Sequence, residues 1–337
     1  MMDLAAGPGA GATPVEGDAL LEVQDLTVAF PSPGGTVYPV NEVSFKVARG
    51  RTLGLVGESG SGKSVTLRTL IGLVPSPGWV VRGQVLFDGQ DLRQATPRHL
   101  QEVRGRDIAM IFQDPTASLN PVLTIGDQLS ETLRVKAGLT RRTAESRAEE
   151  LLYRVGIRPP RARLRAYPHQ ISGGMAQRVM IALAIAASPK LLLADEPTPA
   201  LDVSVQDQIL SLLEDLRLEM EMSMLIVSHD LGVIARACDD VAVMYASRLL
   251  ERGTVDEVLR KPRHPYTRML LATIPGLRPN TERKSLATIS GQLPDLVDSA
   301  QGCPFAPRCA FARPECANVP MSLDAQSGSH RSACPFV

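Results

Sequence analysis

The stretch GESGSGKS, residues 57–64, constrains the architecture of this chain more than any other. It fits the pattern G-x-x-x-x-G-K-[ST] at every fixed position. A short apolar run, Thr52–Val56, leads into it, and a helix-forming segment over 64–74 follows, ended by Pro75-Ser76-Pro77-Gly78. Strand, glycine loop and helix in that order gather backbone N–H groups and a helix N-terminus around one point, which suits an anion. Gly60 and Gly62 let the backbone approach without a Cβ in the way. Gly57, Ser59, Ser61 and Val65 complete the loop, Lys63 would reach the β- and γ-phosphates of a nucleotide, and the Ser64 hydroxyl would bind Mg²⁺. The competing reading is a chance match in a glycine-rich turn. Roughly 1% of chains this long would carry one, and the strand–helix context makes it rarer.

The chain has 337 residues, 44% apolar and 21% charged, as in an ordinary globular protein of about two domains. Its formal net charge is zero, so nothing global points to nucleic acid. No apolar run reaches the length of a membrane span; residues 181–187 are stopped by Ser188-Pro189-Lys190. Residues 1–19 are rich in Gly, Ala and Pro and lack a basic leader region, so they read as a mobile tail. Those features predict a cytosolic chain, where structural disulfides are uncommon.

Segments 21–30 and 43–47 alternate as strands, and 85–87 before Asp88-Gly89 reads as a hairpin arm. Segments 108–112, 191–194, 224–227 and 241–244 read as buried strands. Two polar-faced helices are predicted over 124–155, and further helices over 174–187, 205–220 and Leu231–Ala237, the last capped by Asp230. This alternation predicts an α/β fold around a mainly parallel sheet covered on both faces. A helical subdomain, about 114–187, interrupts it. The predicted domains are a tail (1–19), a nucleotide-binding domain (20–261) and a C-terminal extension (262–337) with many Pro and four of the five Cys.

Several predicted strands end in polar side chains suited to one Mg–nucleotide. LLLADEP places Asp195 and Glu196 at a strand end, where ligands bind in doubly wound sheets. Asp195 would hold Mg²⁺ through water, and Glu196 would take a proton from an attacking water. In MIFQDP, Gln113 could contact Mg²⁺ and that water. In IVSHD, His229 could hydrogen-bond the γ-phosphate. Each alone is as readily a surface or capping residue; the convergence carries the reading.

ISGGMAQR (171–178), about twenty residues before LLLADEP, resembles the signature motif of ATP-binding cassette ATPases. PALD (199–202) is similar to that family's D-loop, Gln113 to its Q-loop residue and His229 to its switch histidine. The resemblance covers residues 20–260 with the motifs in order. It implies a P-loop ATPase core with an antiparallel β subdomain. It also implies that Ser172, Gly173 and Gly174 close over the γ-phosphate of ATP held by a partner subunit. Asp202 would link the two sites, and an aromatic, Phe30 at the end of the first strand or alternatively Tyr38 in the loop after it, would stack on adenine. One departure is Thr198-Pro199, where close members carry Thr-Thr; proline removes a backbone donor.

FQDPTASLNP (112–121), KPRHPYTRMLLATIP (261–275) and GCPFAPRCAFARPEC with the later SACPF resemble ATPase subunits of oligopeptide and dipeptide importers. That resemblance implies energy coupling on the cytoplasmic membrane face. The implied partners are two permease subunits, a second ATPase subunit (a copy or a relative) and, through the permease, an extracytoplasmic solute-binding protein. Nickel or another small solute in place of peptide is the alternative cargo. A soluble cassette ATPase acting on ribosomes or DNA is the alternative function; the single cassette, the lack of a long coiled-coil insertion and the zero net charge disfavour it.

Cys303, Cys309, Cys316 and Cys334 are spaced C-x5-C-x6-C-x17-C. Four thiols in a cytosolic chain suggest metal. No C-x2–4-C pair of the usual zinc kind occurs, whereas wider gaps and four thiolates suit a [4Fe–4S] cluster, which the family resemblance also implies. Zinc and free thiols are the alternatives. The expected role is to fold a small extension without an obvious core. Cys238 reads as packing.

Overall fold

A computed structural model describes residues 19–198, 202–273, 291–294, 296–297, 302–323 and 328–337. The predicted tail therefore lies almost wholly outside the described residues. Two compact units emerge, one of Met1–Arg93 with Val227–Val337, the other of Gln94–Ile226.

The first unit opens with β1 (Ala19–Ser32), β2 (Gly35–Ala48), β3 (Thr52–Val56), α1 (Lys63–Leu70), β4 (Trp79–Phe87) and β5 (Gln90–Asp91). An antiparallel sheet in the order β2-β1-β4-β5 forms from them. Val23 of β1 lies opposite Phe45 of β2 and Val85 of β4, and all three are buried. Alternation with period two, visible in the sequence, is what gives this sheet its apolar face. Asp88 and Gly89 both adopt positive φ, as a two-residue hairpin requires. Two expectations need correction. Tyr38 belongs to β2, not to a loop. Helix α1 stops at Leu70 rather than 74, because Gly72 turns left-handed (φ 66). The Gly72 N–H then donates to Thr69 O and the Leu73 N–H to Arg68 O, closing the helix end.

The second unit contains α2 (Pro97–Val103), β6 (Ile108–Ile111), α3 (Pro115–Ser118), α4 (Ile125–Lys136), α5 (Arg141–Arg154), α6 (Pro160–Leu164), α7 (Gly173–Ile185), β7 (Leu191–Asp195), α8 (Val203–Glu219) and most of β8 (Ser223–Ser228). Its strands run in the order β8-β7-β6, with β6 parallel to β7. Every residue of β7 is buried, which explains its unbroken apolar sequence. Helix α4 starts in a capping box between Thr124 and Asp127. Its buried Ile125, Leu129 and Leu133 recur at helical spacing, as do Ala144, Ala148, Leu151 and Leu152 of α5, and the two helices pack together.

The chain returns to the first unit with α9 (Leu231–Ala237), β9 (Asp240–Tyr245), β10 (Arg248–Thr254), α10 (Val255–Arg260), α11 (Pro265–Ala272) and β11 (Arg331–Ser332). Helix α9 has the bounds read from the sequence, and the Asp230 carboxylate accepts from the Gly232 N–H. The strands run in the order β11-β10-β9-β3. β3 is parallel to β9, but β10 is antiparallel to both its neighbours. This departs from a mainly parallel sheet. Only two residues, Ala246 and Ser247, join β9 to β10, both at positive φ, and so short a link permits only an antiparallel pair.

The C-terminal region packs into the core of the first unit. Phe305 is fully buried and packs edge-on against Tyr245 and Tyr266, with both ring centroids 5.3 Å away. Glu251 in β10 is fully buried and accepts from the Arg263 N–H (2.7 Å) and the His264 N–H (2.9 Å). Its Oε1 also pairs with His330 Nε2 at 2.7 Å, beside the β10–β11 ladder. Replacing Glu251 by Ala should lower stability by about 3 kcal/mol, because buried donors lose their acceptor. Glu251→Gln should lose less. Denaturant midpoints of the three proteins check this.

Candidate nucleotide-binding site

In the first unit, β3 delivers the chain into the 57–64 loop. A Cβ on Gly57 would overlap the Met244 carbonyl oxygen, and one on Gly62 (φ 105) the Pro39 carbonyl oxygen. Gly60 also has positive φ (80) and is exposed with Ser59. Ser61 is fully buried; its N–H donates to Glu58 O at 3.2 Å and its carbonyl accepts from the Ser247 N–H at 3.0 Å. Lys63 begins α1, is 5% exposed, and donates from Nζ to Gly57 O (2.8 Å), Glu58 O (2.8 Å) and Ser61 Oγ (3.3 Å). Ser64 and Val65 follow, half-buried, in the first turn. The loop is thus a tight ring whose lysine reaches over its own carbonyls.

Phe30 is half-buried, and a Cβ on Gly78 would strike its ring. Tyr38 is half-buried too; its N–H donates to Leu296 O at 3.0 Å, and the next residue, Pro39, is the one whose carbonyl abuts Gly62. His229 is exposed, just past β8, between Ser228 and the α9 cap Asp230.

In the second unit, the parallel β6–β7 pairing sets Ile111 opposite Ala194, so the strands end side by side. Gln113 and Glu196 meet there: the Gln113 amide donates from Nε2 to Glu196 Oε2 at 3.1 Å. Asp195 is 1% exposed at the end of β7. Glu196 has φ 48, uncommon for a residue other than glycine. Ser172 caps α7 by accepting from the Met175 N–H. A Cβ on Gly173 would meet nothing within 4 Å, and one on Gly174 only Val205, so the start of α7 stays accessible. Asp202 caps α8; the Val205 N–H, then the Ser204 hydroxyl, hold its carboxyl below the usual range. Pro199, Ala200 and Leu201, with the Thr198-Pro199 departure, lie outside the described residues.

Cys303, Cys309, Cys316 and Cys334 line one cavity of about 200 Å³. Burial pushes the Cys303 thiol up to about 11 and also raises Cys309. Backbone N–H groups donate to two sulfurs, Phe311 to Cys309 Sγ and Arg313 to Cys316 Sγ, each at 3.4 Å. Among the described residues, however, no group of three or more His, Cys, Asp or Glu could hold a metal ion. The expected metal site is not supported at that level. His264, on the same cavity, is pushed down to about 3 by burial and by Arg268; its Nδ1 accepts from the Tyr266 N–H at 3.1 Å. Cys238 ends α9 near Gly54, where packing accounts for it.

Two groups escaped sequence reasoning. Gln177, one turn into α7, is buried and donates from Nε2 to Pro197 O at 2.6 Å, tying the signature helix to the segment after Glu196. A polar residue on an apolar helix face was its only signal. Glu58, at a variable position of the loop, is held by Tyr266 and Arg308 from residues about 200 and 250 positions away. Nothing local marks that contact.

A glycine loop between a buried strand and a helix, with carboxylates closing another strand, is the arrangement of a P-loop nucleotide-binding protein, and comparison with known proteins shows that the chain belongs to the ABC transporter family. The model of that family, described as ABC transporter, matches residues 40–199. A second, described as oligopeptide/dipeptide transporter, C-terminal region, matches 250–316. The chain is 49% identical to the oligopeptide transport ATP-binding protein OppD of Bacillus subtilis, over 87% of this chain and 82% of that protein. It is 44% identical to OppD of Salmonella typhimurium over 95% of both, and 44% identical to the dipeptide transport ATP-binding protein DppD of B. subtilis over 94% of both. Among solved structures, a dimeric ATP-binding cassette in a post-hydrolysis state with ADP and Pi superposes with TM-score 0.63 and 26% identity. That match covers 70% of this chain and 98% of that one.

Proposed function

We propose that this chain is the ATP-hydrolysing, energy-coupling subunit of an ABC importer for oligopeptides or dipeptides. The observation that carries the reading is the pairing of two matches in one chain. The cassette alone is common to many transporters, but the C-terminal match and the full-length relatives belong to peptide transport. The proposed division is a tail over 1–19, a nucleotide-binding domain over 20–261 and an extension over 262–337.

The loop fits a nucleotide phosphate: it has no room for side chains at Gly57 and Gly62, and Lys63 opens the helix behind it. Backbone N–H groups of 59–65 and the Lys63 ammonium would bind phosphate oxygens, and Ser64, Gln113 and Asp195 are the residues that the family resemblance implies would hold Mg²⁺. The ion, when bound, neutralises charge on the phosphates. Glu196 accepts the proton of the attacking water, which Gln113 orients; the Gln113–Glu196 hydrogen bond supports that pairing. His229 contacts the γ-phosphate, and Phe30 or Tyr38 stacks on adenine. Ser172, Gly173 and Gly174 bind the γ-phosphate held by a second ATPase subunit, for which the accessible start of α7 is suited. Asp202 connects the two sites. Hydrolysis removes the γ-phosphate contact and lets the paired subunits part, which is how chemistry moves the permease.

Among the described residues, no helix is long and apolar enough to cross a membrane. The proposed partners, on the family and its relatives, are two permease subunits that provide the path and a second ATPase subunit. The proposed location is the cytoplasmic membrane face. An extracytoplasmic binding protein delivers the peptide. We further propose, on the cysteine spacing and the resemblance it carries, a [4Fe–4S] group held by Cys303, Cys309, Cys316 and Cys334, which line one cavity. When bound it would crosslink the extension.

Glu196→Gln should retain ATP binding and slow hydrolysis by about 10²–10⁴-fold; steady-state phosphate release measures it, and unchanged turnover refutes the general-base role. Detergent extracts of cells producing the tagged chain should yield two permease subunits with it; recovery of the chain alone counts against transport. Anaerobically purified chain should carry about four irons; zinc without iron excludes the cluster.

A further inference from the structure

We propose that Arg308 and Tyr266, both contributed by the C-terminal region, are positioning residues for the phosphate loop and act through Glu58. The proposal rests on the reading of residues 57–64 as the nucleotide loop.

Glu58 occupies a position that the loop pattern leaves free. A glutamate there would ordinarily extend into water. Instead its N–H, its carbonyl and one carboxylate oxygen are engaged within the first unit. Its N–H donates to Tyr266 Oη at 3.0 Å. Its carbonyl accepts from Lys63 Nζ at 2.8 Å. Its carboxylate Oε2 accepts from Arg308 Nη1 at 3.0 Å. One variable residue is therefore gripped both by the phosphate-binding lysine and by the distant extension.

The grip is built to be rigid. The Arg308 side chain is 7% exposed and that of Glu58 is 23% exposed. Arg308 Nη1 also donates to Tyr245 Oη at 3.1 Å, and its guanidinium lies 5.7 Å from the Tyr245 ring centre. Tyr245, Tyr266 and Phe305 pack on one another, so both Glu58 partners stand on one aromatic floor. The turn Ala306–Arg308 is held by Ala306 N–H to Cys303 O and Arg308 N–H to Phe305 O. An ion pair this dry is stronger than a solvated one. The second carboxylate oxygen, Oε1, is buried without a hydrogen bond, so loss of Arg308 would leave the charge poorly compensated.

The consequence is positional. Lys63 and Arg308 pull on the same residue from opposite ends of the chain. If Glu58 shifts, the carbonyl that receives the Lys63 ammonium shifts with it. Small displacements of a charged binding group change affinity strongly. The extension therefore sets how well the loop is shaped for phosphate, beyond stabilising the fold.

The test uses the full chain and equilibrium binding of a fluorescent ATP analogue, with ATPase KM and kcat measured in parallel. Arg308→Ala should bind nucleotide roughly 5- to 20-fold more weakly, raising KM more than it lowers kcat, and Arg308→Lys should recover part of the loss. In a Glu58→Gln background, Arg308→Ala should add little, because the two side chains act as one unit. Unchanged affinity in folded Arg308→Ala, or an equal further loss in the Glu58→Gln background, overturns the proposal. Should Arg308→Ala not fold, Glu58→Gln removes the charge of the pair and Tyr266→Phe removes the hydroxyl acceptor; both should weaken binding, and unchanged affinity in both overturns the proposal. Lys63→Ala separates the two readings. If it weakens binding and Arg308→Ala does not, only the positioning role falls. If neither does, the nucleotide reading falls and takes the positioning role with it.

Discussion

The first unit is organised around backbone passing backbone too closely for any side chain. At Gly57 the loop meets the Met244 carbonyl, and at Gly62 the Pro39 carbonyl. Met244 directly follows the run of β9 that lies parallel to β3, and Pro39 is in β2 of the antiparallel sheet. The loop is therefore wedged between both sheets of its unit. Its left-handed turn at Gly62 aims the first turn of α1, and with it Lys63, back across the ring. A single Cβ at either glycine would force the strands apart.

The C-terminal extension shares that wedge. Phe305, Tyr245 and Tyr266 form a buried aromatic cluster from segments that are remote in sequence. Glu251 offers its carboxylate to two backbone donors and to His330, so the β10 edge, the start of α11 and the strand β11 converge on one buried acceptor. Such an acceptor is strongly specifying because its partners cannot find water in its place. The family match to this region and its physical integration with the phosphate loop thus concern the same residues.

Much of the local architecture was legible. The bounds of β3 and α9 and the Asp230 cap follow from short-range pattern and capping chemistry. The two helices expected over 124–155 are α4 and α5, each with an apolar stripe at helical spacing. The end of α1 was missed because Gly72 was outweighed by the prolines after it, although glycine just past a helix is itself a stop signal. The antiparallel β10 was missed because its strand carries Arg248, Glu251 and Arg252 and so does not read as apolar; burial of Glu251 is compensated only by residues far along the chain.

The sequence by itself determined the chemistry of the candidate site. Residue types at fixed short spacings dictate an anion loop, a strand-end carboxylate pair and a serine-glycine helix start, since each is built by neighbours in the chain. Tertiary structure alone decided what those pieces touch. It brought Gln113 to Glu196, set Gln177 on Pro197, and placed Tyr266 and Arg308 on Glu58. The physical reason is range. Capping, turns and periodicity act over a few residues and leave a mark in order and spacing. A hydrogen bond between residues 58 and 308 depends on two sheets and an aromatic cluster being packed first, and no local pattern encodes it.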